Sequence, residues 1–141
     1  MNNKIPRSYF GNFRVTKRWI EQDFVIILKD AINQKPDNTE KYINEYISLL
    51  FELWKYGCSD IHFNLTLNTW VTKNHSVTFV DLGELCFDRT ELEEYIKNQQ
   101  WLNWYSYNYE MSENSQKIFK QEMNKKVTLK NLERYWWKYV K

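Results

Sequence analysis

The stretch Ile61–Glu84 reads IHFNLTLNTWVTKNHSVTFVDLGE. Up to Asn68 it mixes apolar residues with His62, Asn64, Thr66 and Asn68 in no regular period, which predicts a loop. Thr69–Lys73 and Val77–Val80 are rich in β-branched and apolar residues, and Asn74-His75 between them is a turn signal, so a hairpin is expected. Asp81-Leu82-Gly83 follows the second strand directly. Asp and Gly are both turn formers, one by bonding its own backbone and the other by accepting positive φ. Loop, hairpin and acidic turn therefore succeed one another within a short span.

Upstream, Glu40–Tyr56 carries Ile43, Tyr46, Ile47, Leu50, Leu53 and Trp54 at three- and four-residue steps, the period of an amphipathic helix. Gly57 is its stop, and Asn38 or Thr39 its expected cap. Before the breaker QKPDNT, Tyr9–Thr16 and Asp23–Leu28 are expected to be strands joined by Lys17–Gln22. Downstream, Asp88 is placed to cap a helix from Arg89 to about Asn98. Trp101–Tyr109, WLNWYSYNY, has no clean period and predicts packed irregular structure or a short helix. Helices at about Ser115–Asn124 and Thr128–Tyr139 follow, the last with Leu129, Leu132, Trp136 and Tyr139 inward. The whole is one α+β domain over residues 1–141.

Net charge is +2, so no global field points to nucleic acid or membrane. The charges fall in blocks nonetheless. Lys4, Arg7, Arg14, Lys17 and Arg18 precede any acid, Asp81–Glu94 is acidic, and the tail from Lys117 is basic. Such blocks are read as solvated faces, or as surfaces that interdigitate with a partner's charges. No segment has the length and apolarity of a membrane span, and the N-terminus lacks an apolar leader core, so a cytoplasmic chain is expected. Cys58 and Cys86 have no metal or disulfide spacing, which fits two free thiols, and the sequons at Asn64 and Asn74 are expected to be idle. His62 and His75 have no Cys, Asp or Glu at zinc-ligand spacing. Asp60, just upstream of the loop, is read as an ordinary loop carboxylate, the alternative being a carboxylate that replaces a lost general base if the register slips.

The order of loop, hairpin and Asp-Leu-Gly resembles the catalytic centre of the protein-kinase-like fold, with its His-Arg-Asp-Leu loop, metal-binding Asn and Asp-Phe-Gly. His62-Phe63-Asn64-Leu65-Thr66-Leu67-Asn68 fits that loop with one residue dropped, and thirteen positions separate Asn68 from Asp81. IPRSYFGNFRV and DFVIILKDAI, followed by the helix and the loop, are similar to the bacterial PhoP-regulatory-network kinase-like family, over roughly Pro6 to Leu102. The resemblance implies a shortened kinase-like C-lobe in a bacterial or phage-like small protein. Residues 1–30 would supply small-lobe and hinge-like strands, 38–57 the long helix, 58–87 the catalytic-loop-like segment with hairpin and Asp-Leu-Gly, and 88–141 C-terminal helices.

By the same resemblance, Asn68 and Asp81 are the Mg²⁺ positions, and with Gly83 they form the cofactor-binding set for ATP. The catalytic loop is degenerate: beside His62, Asn64 stands where the general base belongs, and losing such a base costs roughly 10²–10⁴-fold in rate. No Gly-rich loop, no strand Lys paired with a helix Glu, and no Ala-Pro-Glu is found. The expectation is a pseudokinase-like regulatory or inhibitor protein that requires no cofactor and binds a protein partner without phosphoryl transfer. The alternatives are an atypical Mg-dependent nucleotide-binding protein or phosphotransferase, and a nucleic-acid-binding module on the basic aromatic C-terminal helix. Trp101, Trp104, Tyr105, Trp137, Lys125, Lys126 and Arg134 are the interface candidates, because aromatic residues and Arg concentrate at binding hot spots.

Overall fold

A computed structural model of the chain describes residues 4–23, 26–65, 68–103 and 110–138. Its elements are β1 (Arg14–Val15), β2 (Ile20–Glu21), β3 (Ile26–Ile27), α1 (Leu28–Gln34), α2 (Thr39–Lys55), β4 (Ser59–Asp60), β5 (Thr69–Val71), β6 (Val77–Phe79), β7 (Leu85–Cys86), α3 (Arg89–Lys97), α4 (Glu113–Lys126) and α5 (Leu129–Tyr135). The fold is α+β, as expected.

Helix α2 is the axis of the molecule. Its apolar period puts Tyr42, Ile43, Tyr46, Ile47, Leu49, Leu50, Leu53 and Trp54 in the interior, packed against α4 and α5 on one side and β6 on another. Each buried Leu or Ile contributes about 1.5–3 kcal/mol relative to exposure. The helix stops where the sequence places Gly57. That residue takes φ +73°, its N–H donates to the Trp54 carbonyl, and the Cys58 N–H reaches back to Leu53, the paired bonds of a Schellman ending. Neither Asn38 nor Thr39 caps α2 with its side chain. Thr39 is buried instead, with Oγ1 3.3 Å from Ser115 Oγ, joining the starts of α2 and α4.

Among the described residues the strands form three small antiparallel sheets, of which β4 and β6 reach α2. β3, β5 and β6 form one, with Ile27 opposite Trp70 and Trp70 opposite Thr78. The expected hairpin is β5–β6, and His75 (φ +59°) supplies its left-handed turn residue. β4 pairs with β7, setting Ser59 against Cys86 and Asp60 against Leu85. β1 pairs with β2 as an isolated hairpin.

The N-terminal third departs from expectation. Pro6 starts a 3-10 turn over Arg7–Phe10, so the expected strand from Tyr9 shrinks to Arg14–Val15. Part of the expected Lys17–Gln22 connector becomes β2. α1 was not anticipated: Leu28, Ala31 and Ile32 are its buried face, and the Asp23–Leu28 strand reading ran into its first residue. The segment is nonetheless tied in tightly. The buried Thr78 hydroxyl donates to the Tyr9 carbonyl at 2.9 Å and accepts the Gly11 N–H, while Gln22 Nε2 donates to the Phe10 and Val80 carbonyls.

Downstream, Asp88 caps α3 by accepting from the Thr90 and Glu91 N–H groups. Ser112 and Thr128 cap α4 and α5 in the same way. Of the expected inward residues in the last helix, Leu132 is fully buried, Trp136 is half-buried just past the helix end at Tyr135, and Leu129, at the helix start, is 39% exposed; Tyr139 lies outside the described residues.

Candidate functional site

Ile61–Leu65 leads out of β4 and Asn68 leads into β5, and the Asp81–Glu84 turn lies between β6 and β7. Because β4 pairs with β7, loop and turn emerge side by side. The Ile61 N–H donates to the Glu84 carbonyl at 2.9 Å, and His62 Nε2 lies 2.8 Å from Glu84 Oε2. The imidazole also meets Tyr95 edge-on, with ring centroids 6.2 Å apart. Glu84 Oε2 is buried and makes no well-angled hydrogen bond, and the His62 imidazole is the group that faces it.

The loop is organised from inside by Asp60, which is 1% exposed. Its Oδ2 accepts the Tyr46 hydroxyl and the Asn64 N–H, both at 3.1 Å, and its Oδ1 accepts the His62 N–H at 3.2 Å. Burial pushes this carboxyl up from 3.8 to about 6, against the lowering influence of those donors and of the His62 charge. Burial first, and the neighbouring Asp60 second, raise the Tyr46 phenol well above its ordinary value. Asp60 is thus an internal brace, not the ordinary loop carboxylate that a turn-rich sequence suggests.

Phe63 pivots the loop. It adopts φ +51°, an uncommon conformation for a residue with a bulky side chain, and is held there by burial at 1% exposure against Trp101 in edge-to-face contact. The neighbouring Asn64 is 5% exposed. Its carbonyl accepts the Asn68 N–H, and the Asn68 carbonyl accepts the Val80 N–H, each at 3.0 Å. Asn68 is therefore brought beside the residue preceding Asp81.

Asp81 is exposed and folds back to accept the Gly83 N–H at 2.8 Å, opening the Leu82–Glu84 3-10 turn. Gly83 is itself tight: a Cβ there would come within 3.2 Å of Asp81 Oδ1. Asn68 and Asp81 offer hard oxygen donors of the kind Mg²⁺ takes, but one Asp81 oxygen already serves the turn. Among the described residues no group of three or more His, Cys, Asp or Glu side chains could hold a metal. A cleft of about 560 Å³ lies elsewhere, between Ser8, Tyr9, Glu45, Glu52 and Val77.

The interface candidates divide. Trp101 is 1% exposed and packed on Phe63, so it belongs to the core and is removed from the interface set. Trp104 and Tyr105 lie outside the described residues. Trp137 is 46% exposed, but its N–H donates to the Trp54 carbonyl and its indole covers Gly57. Lys126 bonds Asn44 Oδ1 and Glu122, while Lys125 is exposed. Arg134 lies over the Tyr135 ring, 5.3 Å from its centroid, and Tyr135 stacks on Phe51. The thiols of Cys58 and Cys86 are free and buried, and burial pushes Cys58 up to about 12, aided by Cys86. Sequence reasoning missed Asp60 as the organiser; the available signal was Tyr46, a phenol within an apolar stripe whose hydroxyl needs a buried partner. No helix among the described residues is long and apolar enough to cross a membrane. In comparisons with known proteins, no family model, curated protein or solved structure matches the chain.

Proposed function

We propose that the chain is a degenerate kinase-like protein that binds and regulates a protein partner without phosphoryl transfer. The observation that carries this reading is the inward use of the loop's polar groups. Asp60 and Asn64 are both nearly inaccessible, and the donors that surround Asp60 come from the chain itself. A general base must reach the proton it removes. Asn64, at the matched position, has no basic group, and its N–H is already engaged with Asp60. The centre suits a rigid scaffold better than a reacting surface.

A Mg-dependent nucleotide-binding protein is the second reading, and the juxtaposition of Asn68 with Val80 and the exposed Asp81 favours it. The nucleic-acid reading has less support, since Tyr135 and Trp137 on the basic tail pack against Phe51 and Gly57. Thermal melting with ATP, with and without Mg²⁺, separates the first two. The scaffold reading expects no shift. A ligand at about 100 times its Kd stabilises by roughly 2.7 kcal/mol. A Mg²⁺-dependent shift of that order, lost in Asp81→Ala, would establish nucleotide binding and overturn the purely structural role.

A further inference from the structure

The β1–β2 hairpin is the most apolar exposed feature of the described surface. Val15 is 71% exposed, Trp19 57% and Ile20 55%. Val15 and Ile20 are directly opposite across the ladder, so they share one face. Trp19 Nε1 donates to Glu21 at 3.0 Å, which holds the indole against its own hairpin. Arg14, Lys17 and Arg18 are exposed around these residues and form no ion pair among the described residues.

The same molecule carries the opposite surface. Phe87 is 64% exposed at the start of α3, and Asp88, Glu91 and Glu94 are exposed beside it. A cleft of about 300 Å³ opens there, lined by Glu91, Glu94, Tyr95, Asn98 and Gln100. The hairpin carries Arg14, Lys17 and Arg18 against Glu21, which lies opposite Arg14, with Trp19 exposed on it; the α3 surface carries Asp88, Glu91 and Glu94, the last paired with Lys97, beside a cleft.

We infer that the chain self-associates, the β1–β2 hairpin of one copy docking on the acidic α3 surface of a second. Trp19 is the anchor for the cleft, Lys17 and Arg18 face Glu91 and Glu94, and the Val15–Ile20 face covers Phe87. A second copy is the indicated occupant because both complementary halves stand on one chain. Its small net charge of +2 leaves little repulsion between copies. Two-fold pairing makes the contact twice, so a stable interface of roughly 1,200–2,000 Å² needs only about half that area from each hairpin–α3 contact, both sides counted. This inference is independent of the kinase-like reading.

The test is light scattering and sedimentation of the full chain over a concentration series from about 1 µM to about 1 mM, at low and high salt. Association that weakens with salt is expected. Arg18→Glu and Trp19→Ala should each weaken it by about ten-fold or more, with melting midpoints unchanged at concentrations where both proteins are monomeric, since both side chains lie outside the core. Glu94→Lys should weaken it likewise, and mixing Arg18→Glu with Glu94→Lys should restore association between the two variants. A chain monomeric throughout the series would overturn the inference. So would association that Arg18→Glu and Trp19→Ala leave untouched, or a mixture that stays monomeric.

Discussion

Replacing Asp60 by Asn should remove a pH dependence of stability that one buried carboxyl imposes. In the folded chain Asp60 titrates at about 6, raised from 3.8 mainly by burial. The folded state therefore holds its proton more tightly than the unfolded chain. Stability from this group is fully present below about pH 3.8 and is lost as pH rises through 6. The raised interval is about 2 pH units, and at 1.36 kcal/mol per unit the loss reaches about 3 kcal/mol. Asp60→Asn keeps one oxygen acceptor but turns an NH₂ either toward the His62 N–H, at the Oδ1 position, or toward the Asn64 N–H and the Tyr46 hydroxyl, at the Oδ2 position. The Tyr46 oxygen can accept in return, whereas a backbone N–H cannot, so the variant carries a pH-independent penalty of about 1–3 kcal/mol. Urea unfolding of both proteins from about pH 4 to pH 8 reads the difference directly, because the other carboxylates cancel between them. The wild type should lose about 2–2.5 kcal/mol relative to the variant across that range. Parallel stability curves, or a wild type that gains on the variant as pH rises, would refute the buried-carboxyl argument.

Tyr46→Phe removes a donor from the same carboxylate and should cost about 1.5–3 kcal/mol at neutral pH, read as a lower urea midpoint. It should also move the Asp60 titration upward, since the Tyr46 bond now lowers it. Gly57→Ala places a Cβ into the Trp137 indole at φ +73°; the left-handed backbone alone costs about 1–2 kcal/mol, and the same change in a Trp137→Ala background should cost less. Cys58, buried and held up at about 12, should resist thiol-specific reagents at neutral pH until the chain unfolds, so its labelling rate should follow denaturant concentration. Leu50→Ala, at the fully buried centre of α2, should lower stability by about 2–5 kcal/mol in the same unfolding assay.

The elements legible in the sequence are those whose cause is local. The period from Ile43 to Trp54 gives α2, Gly57 ends it, Asp88 caps α3, and Asn74-His75 turns the hairpin. α1 was hidden because Phe24–Leu28 is β-branched and apolar enough to read as one strand, although Leu28, Ala31 and Ile32 already carry the helical period. The β4–β7 pairing was invisible for a different reason. Each strand is only two residues long, and their register depends on the whole loop between them. The candidate site divides along the same line. The proximity of Asn68 to Asp81 follows from a hairpin of ordinary length, whereas the burial of Asp60 depends on Tyr46, fourteen positions away on another element. Trp101 was placed at an interface on composition; its partner Phe63 lies across the fold, and only the folded chain joins them.

The packing of α2 against α4 has a consequence for synthesis on the ribosome. The interior face of α2 is complete once Lys55 has been added, but α4 does not close over it until Lys126, 71 residues later. At about 5–20 residues per second this leaves the nascent chain without its main cover for roughly 4–14 s. The part of the apolar α2 face that α4 covers is then open to chaperones and proteases, so polypeptides interrupted before Glu113 should be cleared rather than accumulate.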